Sequence, residues 1–147
     1  LNKWDMVANP ESELSKTIDY ISVKIPFLAW APVISISAKT GLRTNKIIPV
    51  AWDIFSNYAQ SFNIDDLQIL FKEISQNKSF FWKKNRTVIK HVRQIKTRPP
   101  AVLLEMNHPE MLHFSHKRFI ENKMRERFPL FGTPLILHTE RIKNKKH

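Results

Sequence analysis

The sequence predicts a mixed α/β chain of two small units: the closing part of an alternating α/β domain, then an α+β module whose three-stranded sheet is covered by helices. Three observations predict it. Charge is split unevenly: residues 1–62 carry six Lys/Arg against five Asp/Glu, whereas residues 63–147 carry eighteen against eight, so almost all of the +11 net charge lies in the second part. Apolar residues switch between helical spacing and short continuous runs, the pattern of helices alternating with buried strands. At 42% hydrophobic and 25% charged, with sixteen aromatic residues, the chain has the balance of a folded protein.

Each element follows in order. Asn9-Pro10 opens a helix, Asn as N-cap and Pro at the first helical position, where its missing N–H costs nothing. That helix is expected to run to about Ile21. After Pro32, the run Val33-Ile34-Ser35-Ile36 reads as a buried strand. Thr44 is a candidate cap for a helix on which Ile47, Ala51, Ile54, Phe55 and Tyr58 form one apolar face, with Pro49 disturbing its early turns. The character changes near Ser61-Phe62-Asn63. Asn63 caps a helix with Asp65 and Asp66 in its first turn, acids favoured by the helix dipole, and with Leu67, Leu70, Phe71 and Ile74 as its buried stripe. Residues 78–86 form a basic-aromatic connector and 87–96 a strand, which Thr97-Arg98-Pro99-Pro100 ends. Residues 101–106 form a second strand, Pro109 begins a short helical turn, Ser115 caps a longer helix to about Phe128, and 135–139 is the last strand. The expected division is 1–62, 63–142 and a basic tail at 143–147.

Composition narrows the functional classes. There is no Cys, which removes disulfides and thiolate metal sites. No apolar run approaches the roughly 18 residues of a membrane span, so no membrane partner and a cytoplasmic location are expected. Leu1 is not an initiator Met and the sequence opens inside a motif, so a piece of a longer protein is expected. The strong positive charge of the second part is the electrostatic footprint of a nucleic-acid binder.

Two motifs carry chemistry. Asn2-Lys3-Trp4-Asp5 fits Asn-Lys-x-Asp, the guanine-reading pattern of GTPases. A carboxylate such as Asp5 accepts from both the ring N–H and the exocyclic amino group of guanine, a pairing adenine does not offer. The Asn2 amide supports the base edge and loop, and the aliphatic stem of Lys3 covers the ring. Ser37-Ala38-Lys39-Thr40-Gly41 follows the expected buried strand, thirty-two residues after Asp5. There the Ala38 N–H suits the guanine carbonyl oxygen, and a small side chain permits the close approach. Two such loops in the right order are far more specific than either alone.

Further segments extend the pattern. Thr97-Arg98-Pro99-Pro100, Asn107-His108-Pro109-Glu110, Leu112-His113-Phe114-Ser115-His116-Lys117-Arg118-Phe119 and Phe131-Gly132-Thr133-Pro134 closely resemble the C-terminal KH-like domain of the Der (EngA) family of ribosome-assembly GTPases. With the two nucleotide motifs, the resemblance covers essentially the whole chain. It implies the C-terminal remnant of a P-loop-type G domain followed by an α+β KH-like domain. It further implies GTP or GDP as ligand, with Mg²⁺ only in the full-length protein, and a part in maturation of the large ribosomal subunit. The KH-like domain would contact rRNA or the G domains, and a monomer is expected. Two departures limit the transfer. The phosphate-binding loop, the switch threonine and the Asp-x-x-Gly loop are not among these residues, so this piece should not hydrolyse GTP alone. Where ordinary KH domains carry Gly-x-x-Gly, the sequence reads Phe114-Ser115-His116-Lys117. An RNA-binding KH-like module with a non-functional G-domain remnant is the alternative, and a GTPase acting on transfer RNA is a further rival.

Candidate RNA contacts are Lys83, Lys84, Arg86, Lys90, Arg93, Lys96 and Arg98 on the connector, first strand and turn, with Lys117 and Arg118 on the long helix. Lys123, Arg125 and Arg127 follow on that helix. Simple strand alternation puts Lys90 and Lys96 on one face and Arg93 on the other. Phe80, Phe81 and Trp82 suit either base stacking or internal packing. His113 and His116 are three apart but have no third ligand placed with them, so no metal site is expected. No catalytic residues stand out.

Overall fold

A computed structural model describes residues 1–77, 80–82 and 85–142, with the side chains of all of these but 77, 80–82, 85 and 86. The expected tail at 143–147, Lys83 and Lys84 therefore lie outside the described residues, as do the side chains of Arg86, Phe80, Phe81 and Trp82. The chain divides into two units: Leu1–Asn57 with Phe131–Thr133, and Tyr58–Leu130 with the segment from Pro134 onward.

In the first unit, helix α1 (Pro10–Lys24) outruns its expected end by about one turn and closes with Ile25 N–H donating to Ile21 O. Asn9 occupies the cap position, but its side chain makes no cap bond; its carbonyl accepts from Ser12 Oγ and Glu13 N instead. Residues 33–36 do not form a named strand. They run extended beside the chain start, where Leu1 N donates to Ile34 O (2.7 Å), Ile36 N to Leu1 O (2.8 Å) and Trp4 N to Ile36 O (3.0 Å). This pairing stops because Trp4–Met6 winds into a 3₁₀ turn. Thr44 does not cap the next helix: it begins a 3₁₀ turn (Thr44–Lys46) and its hydroxyl donates back to Gly41 O. Helix α2 (Ile47–Tyr58) follows. On its apolar face Ile54 and Tyr58 are half-buried, while Ile47, Ala51 and Phe55 are exposed. Periodicity marked a face that the described residues cover only in part. Asn57 Nδ2 donates to Phe131 O (3.1 Å), and Thr133 Oγ1 to Ile54 O (3.4 Å). Gly132 has φ 64° and a Cβ there would collide with the Ile54 side chain, so the position excludes any larger residue.

The second unit is the α+β module. Helix α3 (Ile64–Asn77) starts as expected: Asn63 Oδ1 accepts from Asp65 N (2.8 Å) and Asp66 N (3.4 Å). Its stripe Leu67, Leu70, Phe71 and Ile74 is buried. The expected connector instead holds a hairpin, β1 (Phe80–Trp82) paired with β2 (Asn85–Thr87). The consecutive aromatic residues Phe80, Phe81 and Trp82 suit a strand better than a loop. The main sheet is β3 (Ile89–Thr97), β4 (Pro100–Met106) and β5 (Ile136–Arg141), in that spatial order, β3–β4 antiparallel and β4–β5 parallel. Between β4 and β5 come a 3₁₀ turn (Pro109–Met111) and helix α4 (Phe114–Arg127). The cap of α4 is His113, whose Nδ1 accepts from Ser115 N (3.4 Å). A ring nitrogen serves as well as a hydroxyl once placed there, which displaces the expected Ser115 cap.

One face of the sheet builds the core. Val102, Leu104 and Met106 of β4 pack with Ile89 and Val92 of β3, the α3 stripe, and Ile120 and Met124 of α4. Leu67, Val102, Leu104, Met106, Ile120 and Met124 are wholly buried. Burying each such side chain stabilises the fold by about 1.5–3 kcal/mol before entropy is counted.

Candidate guanine-reading loops and basic edge

The two nucleotide motifs are brought together in the first unit. Lys3 adopts a left-handed conformation (φ 64°), turning the chain sharply between Asn2 and Trp4. Trp4 is buried and anchors the loop, leaving Asn2, Lys3 and Asp5 exposed around it. Ser37 is fully buried, and its hydroxyl donates to Asp5 Oδ1 (2.5 Å) while accepting from Thr40 N (3.2 Å). Asn2 Oδ1 accepts from Lys3 N (2.7 Å) and Ala38 N (3.1 Å). Gly41, at φ 77°, lets the second loop fold back, and its N–H donates to Ser37 O (2.9 Å). The result is an exposed carboxylate, held by a hydroxyl, beside an amide and the Ala38 backbone N–H. Such a set presents acceptors and a donor to one base edge. Ala38 N–H is engaged by Asn2, so a base carbonyl would share that donor. Lys39 is exposed beyond the turn. Among the described residues no group of three or more His, Asp or Glu could hold a metal. His113 and His116 meet edge-on with ring centroids 6.4 Å apart, and His113 Nδ1 is committed to Ser115.

The basic candidates of the second unit separate into two sets. On α4, Glu121 stands three and four residues after Arg118 and Lys117. Partial burial raises the pKa of its carboxyl, and nearby Arg125, Arg118 and Lys117 oppose the shift. The later cations of α4 are occupied: Lys123 by Glu126 (2.6 Å), Arg125 by Leu130 O (2.9 Å) and Arg127 by Asp66 of α3 (2.9 Å). Burial lowers the pKa of Arg125, which Glu121 partly offsets.

The β3 cations form the second set, and their arrangement departs from simple alternation. Ile89 pairs with Met106 but His91 with Glu105, and Gln94 pairs with Val102 but Lys96 with Ala101. At each place two steps along β3 match one along β4, the signature of a bulge. Arg93 pairs with Leu103 and Lys96 with Ala101, both on the face of β4 opposite the core residues Val102 and Leu104. Arg93 and Lys96 therefore share the outer face, correcting the expectation that separated them. Arg93 also approaches Glu105 (3.5 Å). Lys90 is the extra residue of the first bulge and is exposed; Arg98 is exposed in the turn beyond.

Gln94 is a residue that the sequence reading passed over. Its Oε1 accepts from Phe62 N (2.8 Å), and its Nε2 donates to Gln60 O (2.8 Å) and Lys96 O (3.0 Å). It thereby ties the segment entering α3 to β3. Lys72 was also passed over, although Gln68, Lys72 and Ser75 at i, i+4 and i+7 mark a polar stripe beside the buried one. These residues line a groove of about 380 Å³ between α3 and β3, together with Lys90 and His91. A second groove of about 490 Å³ follows the other half of β3, lined by Phe62, Leu67, Arg93, Gln94 and Lys96 among others.

Comparison places the chain among known proteins. Residues 62–139 match the family described as the KH-domain-like of EngA bacterial GTPase enzymes, C-terminal. The protein named GTPase Der of Campylobacter concisus is 40% identical over 138 residues, covering 93% of this chain and 29% of that protein. Those of Fusobacterium nucleatum and Geobacter metallireducens are 34% and 33% identical, covering 95% and 92% of this chain and 32% and 31% of theirs. The chain thus spans about a third of the length of these relatives. A solved structure of Era in complex with MgGDPNP and nucleotides 1506-1542 of 16S ribosomal RNA aligns over 96% of this chain and 53% of its own. Its identity is 14% and its TM-score 0.32.

Proposed function

The chain belongs to the Der (EngA) family of bacterial GTPases, as its C-terminal part carrying the KH-like module, and from this premise we propose that it serves a guanine-nucleotide-binding protein acting in assembly of the large ribosomal subunit. The supporting observation is the joining of the two motif loops through Ser37–Asp5 and Ala38–Asn2. Asp5 fixes guanine by accepting from its ring N–H and amino group, Asn2 and Ala38 set the neighbouring edge, and Lys3 and Lys39 cover the base. An intact, mutually bonded pair of loops favours this reading over an RNA-binding module with a decayed G-domain remnant.

These 147 residues hold no phosphate-reading loop, so hydrolysis and the Mg²⁺ that accompanies it belong to residues outside them. The basic second unit contacts rRNA through phosphates, without a Gly-x-x-Gly grip on single strands. The test is made in the full-length protein with Asp5→Asn. The variant amide keeps an acceptor but offers a donor where guanine has its amino group, which matches a carbonyl at that position. GDP binding should weaken at least about tenfold, the loss of roughly 1.4 kcal/mol, while xanthosine diphosphate binding strengthens. Unchanged base preference would remove Asp5 from the site.

A further inference from the structure

The longest unassigned feature of the second unit is the pair of grooves along the edge strand β3. Their described lining contains Lys72, Lys90 and His91 in one, Arg93 and Lys96 in the other, and no carboxylate. The cations are spaced along the strand. Lys90, Arg93 and Lys96 are each three residues apart, and with the bulges the step from Arg93 to Lys96 matches two residues of β4, about 7 Å, or roughly two phosphates of a stacked strand at 3.4 Å each. The groove aromatics Phe62 and Phe71 are at most 8% exposed, so they form the floor and present no ring for a base to stack on. The Gln94 amide, the group best suited to reading a base edge, is committed to Phe62, Gln60 and Lys96. On α4, by contrast, Lys117 and Arg118 stand beside Glu121.

We propose that the RNA backbone runs along the edge strand β3 past both grooves, its phosphates held by Lys72 and Lys90 at the first and by Lys96 at the second, with no reading of base sequence. This rests on the reading of the second unit as an RNA-contacting module. It places the contact away from Phe114-Ser115-His116-Lys117, which form the first turn of helix α4 where ordinary KH domains carry the Gly-x-x-Gly grip. The two bulges make the site: by breaking the alternation of β3 they bring Lys90 out as an extra residue and return Lys96 to the face of Arg93.

The experiment is an anisotropy titration of the whole chain with a labelled RNA hairpin and with a labelled oligo-uridine, at several potassium chloride concentrations. The chain is compared with Lys72→Ala/Lys90→Ala/Lys96→Ala, the same triple change to Gln, the same triple change to Arg, and Lys117→Ala/Arg118→Ala. Each lost phosphate contact should lower the slope of log K against log salt by about 0.7–0.9. Over a fourfold rise in salt the parent chain should therefore lose about 30-fold more affinity than the Ala or Gln triple. The Arg triple should keep most binding, and the α4 pair should change the slope little. Loss in the α4 pair with an unchanged slope in the neutral triples overturns the groove assignment and leaves the RNA reading standing. Equal competition by polyglutamate overturns RNA as the occupant. No binding of either RNA by the parent chain overturns the RNA reading itself, and the groove with it.

Discussion

Replacing Gln94 by Leu should loosen the junction where the chain enters α3. Gln94 makes three hydrogen bonds of 2.8, 2.8 and 3.0 Å, and Leu makes none. The Gln60 and Lys96 carbonyls lie near solvent and can turn to water, so losing Nε2 costs little there. The Phe62 N–H sits in front of a phenylalanine that is itself 8% exposed, and it would be left without its acceptor. An unsatisfied, partly buried donor costs about 1–3 kcal/mol. Taking about 2 kcal/mol as the net, the opening that exposes this amide becomes roughly 30 times more frequent. Amide hydrogen exchange followed by NMR reads this directly: the Phe62 amide should exchange about 30-fold faster, while amides at the centre of β4 change far less. Gln94→Glu retains the acceptor but not the donor, so it should fall between the two. If the Phe62 amide in Gln94→Leu exchanges within threefold of its original rate, the junction is held by packing alone and the reasoning fails.

Leu104→Ala empties a wholly buried position at the centre of the core and should lower the stability of the second unit by about 2–5 kcal/mol, read as an earlier urea transition with unchanged slope. Glu121 has its carboxyl pKa raised by partial burial above the usual 4.5, so the folded state holds its proton longer and stability falls as pH rises through the window above 4.5. Glu121→Gln should flatten that fall, and an identical stability profile from acid to neutral pH would remove burial as the cause. The chain alone should show no GTP turnover above background in a phosphate-release assay, and sustained release would require a phosphate site that none of its motifs describes.

How far the sequence reveals this fold depends on how local each determinant is. The α3 stripe, the Asn63 cap and the apolar run of β4 are written in neighbouring residues, and all appear where periodicity and capping rules place them. The two loops proposed to read guanine are legible for the same reason: each is a contiguous motif, and the bond between Ser37 and Asp5 only joins them. The facing of β3 is different. Its bulges arise from a mismatch with β4, so no reading of residues 87–96 by themselves yields the shared face of Arg93 and Lys96. Gln94 was equally opaque, since Phe62 and Gln60 lie 32 and 34 residues away. The α2 face was legible as apolar, yet Ile47, Ala51 and Phe55 on it stay exposed among the described residues. His113 was missed because capping preferences favour hydroxyls and short amides, and a ring nitrogen fills the role only when the backbone brings it there.

The bulges of β3 also bear on how the protein keeps company with itself. An edge strand offers a row of unpaired backbone groups, an open invitation to a strand from another molecule. Two bulges within nine residues break the regular spacing of those groups and twist the strand, so a straight incoming strand meets them in register only over short stretches. Lysines at Lys90 and Lys96 add like-charge repulsion between two copies brought edge to edge. The sheet can therefore leave this side open at cellular concentrations without growing into a larger sheet, and a variant that restored regular pairing there should aggregate more readily.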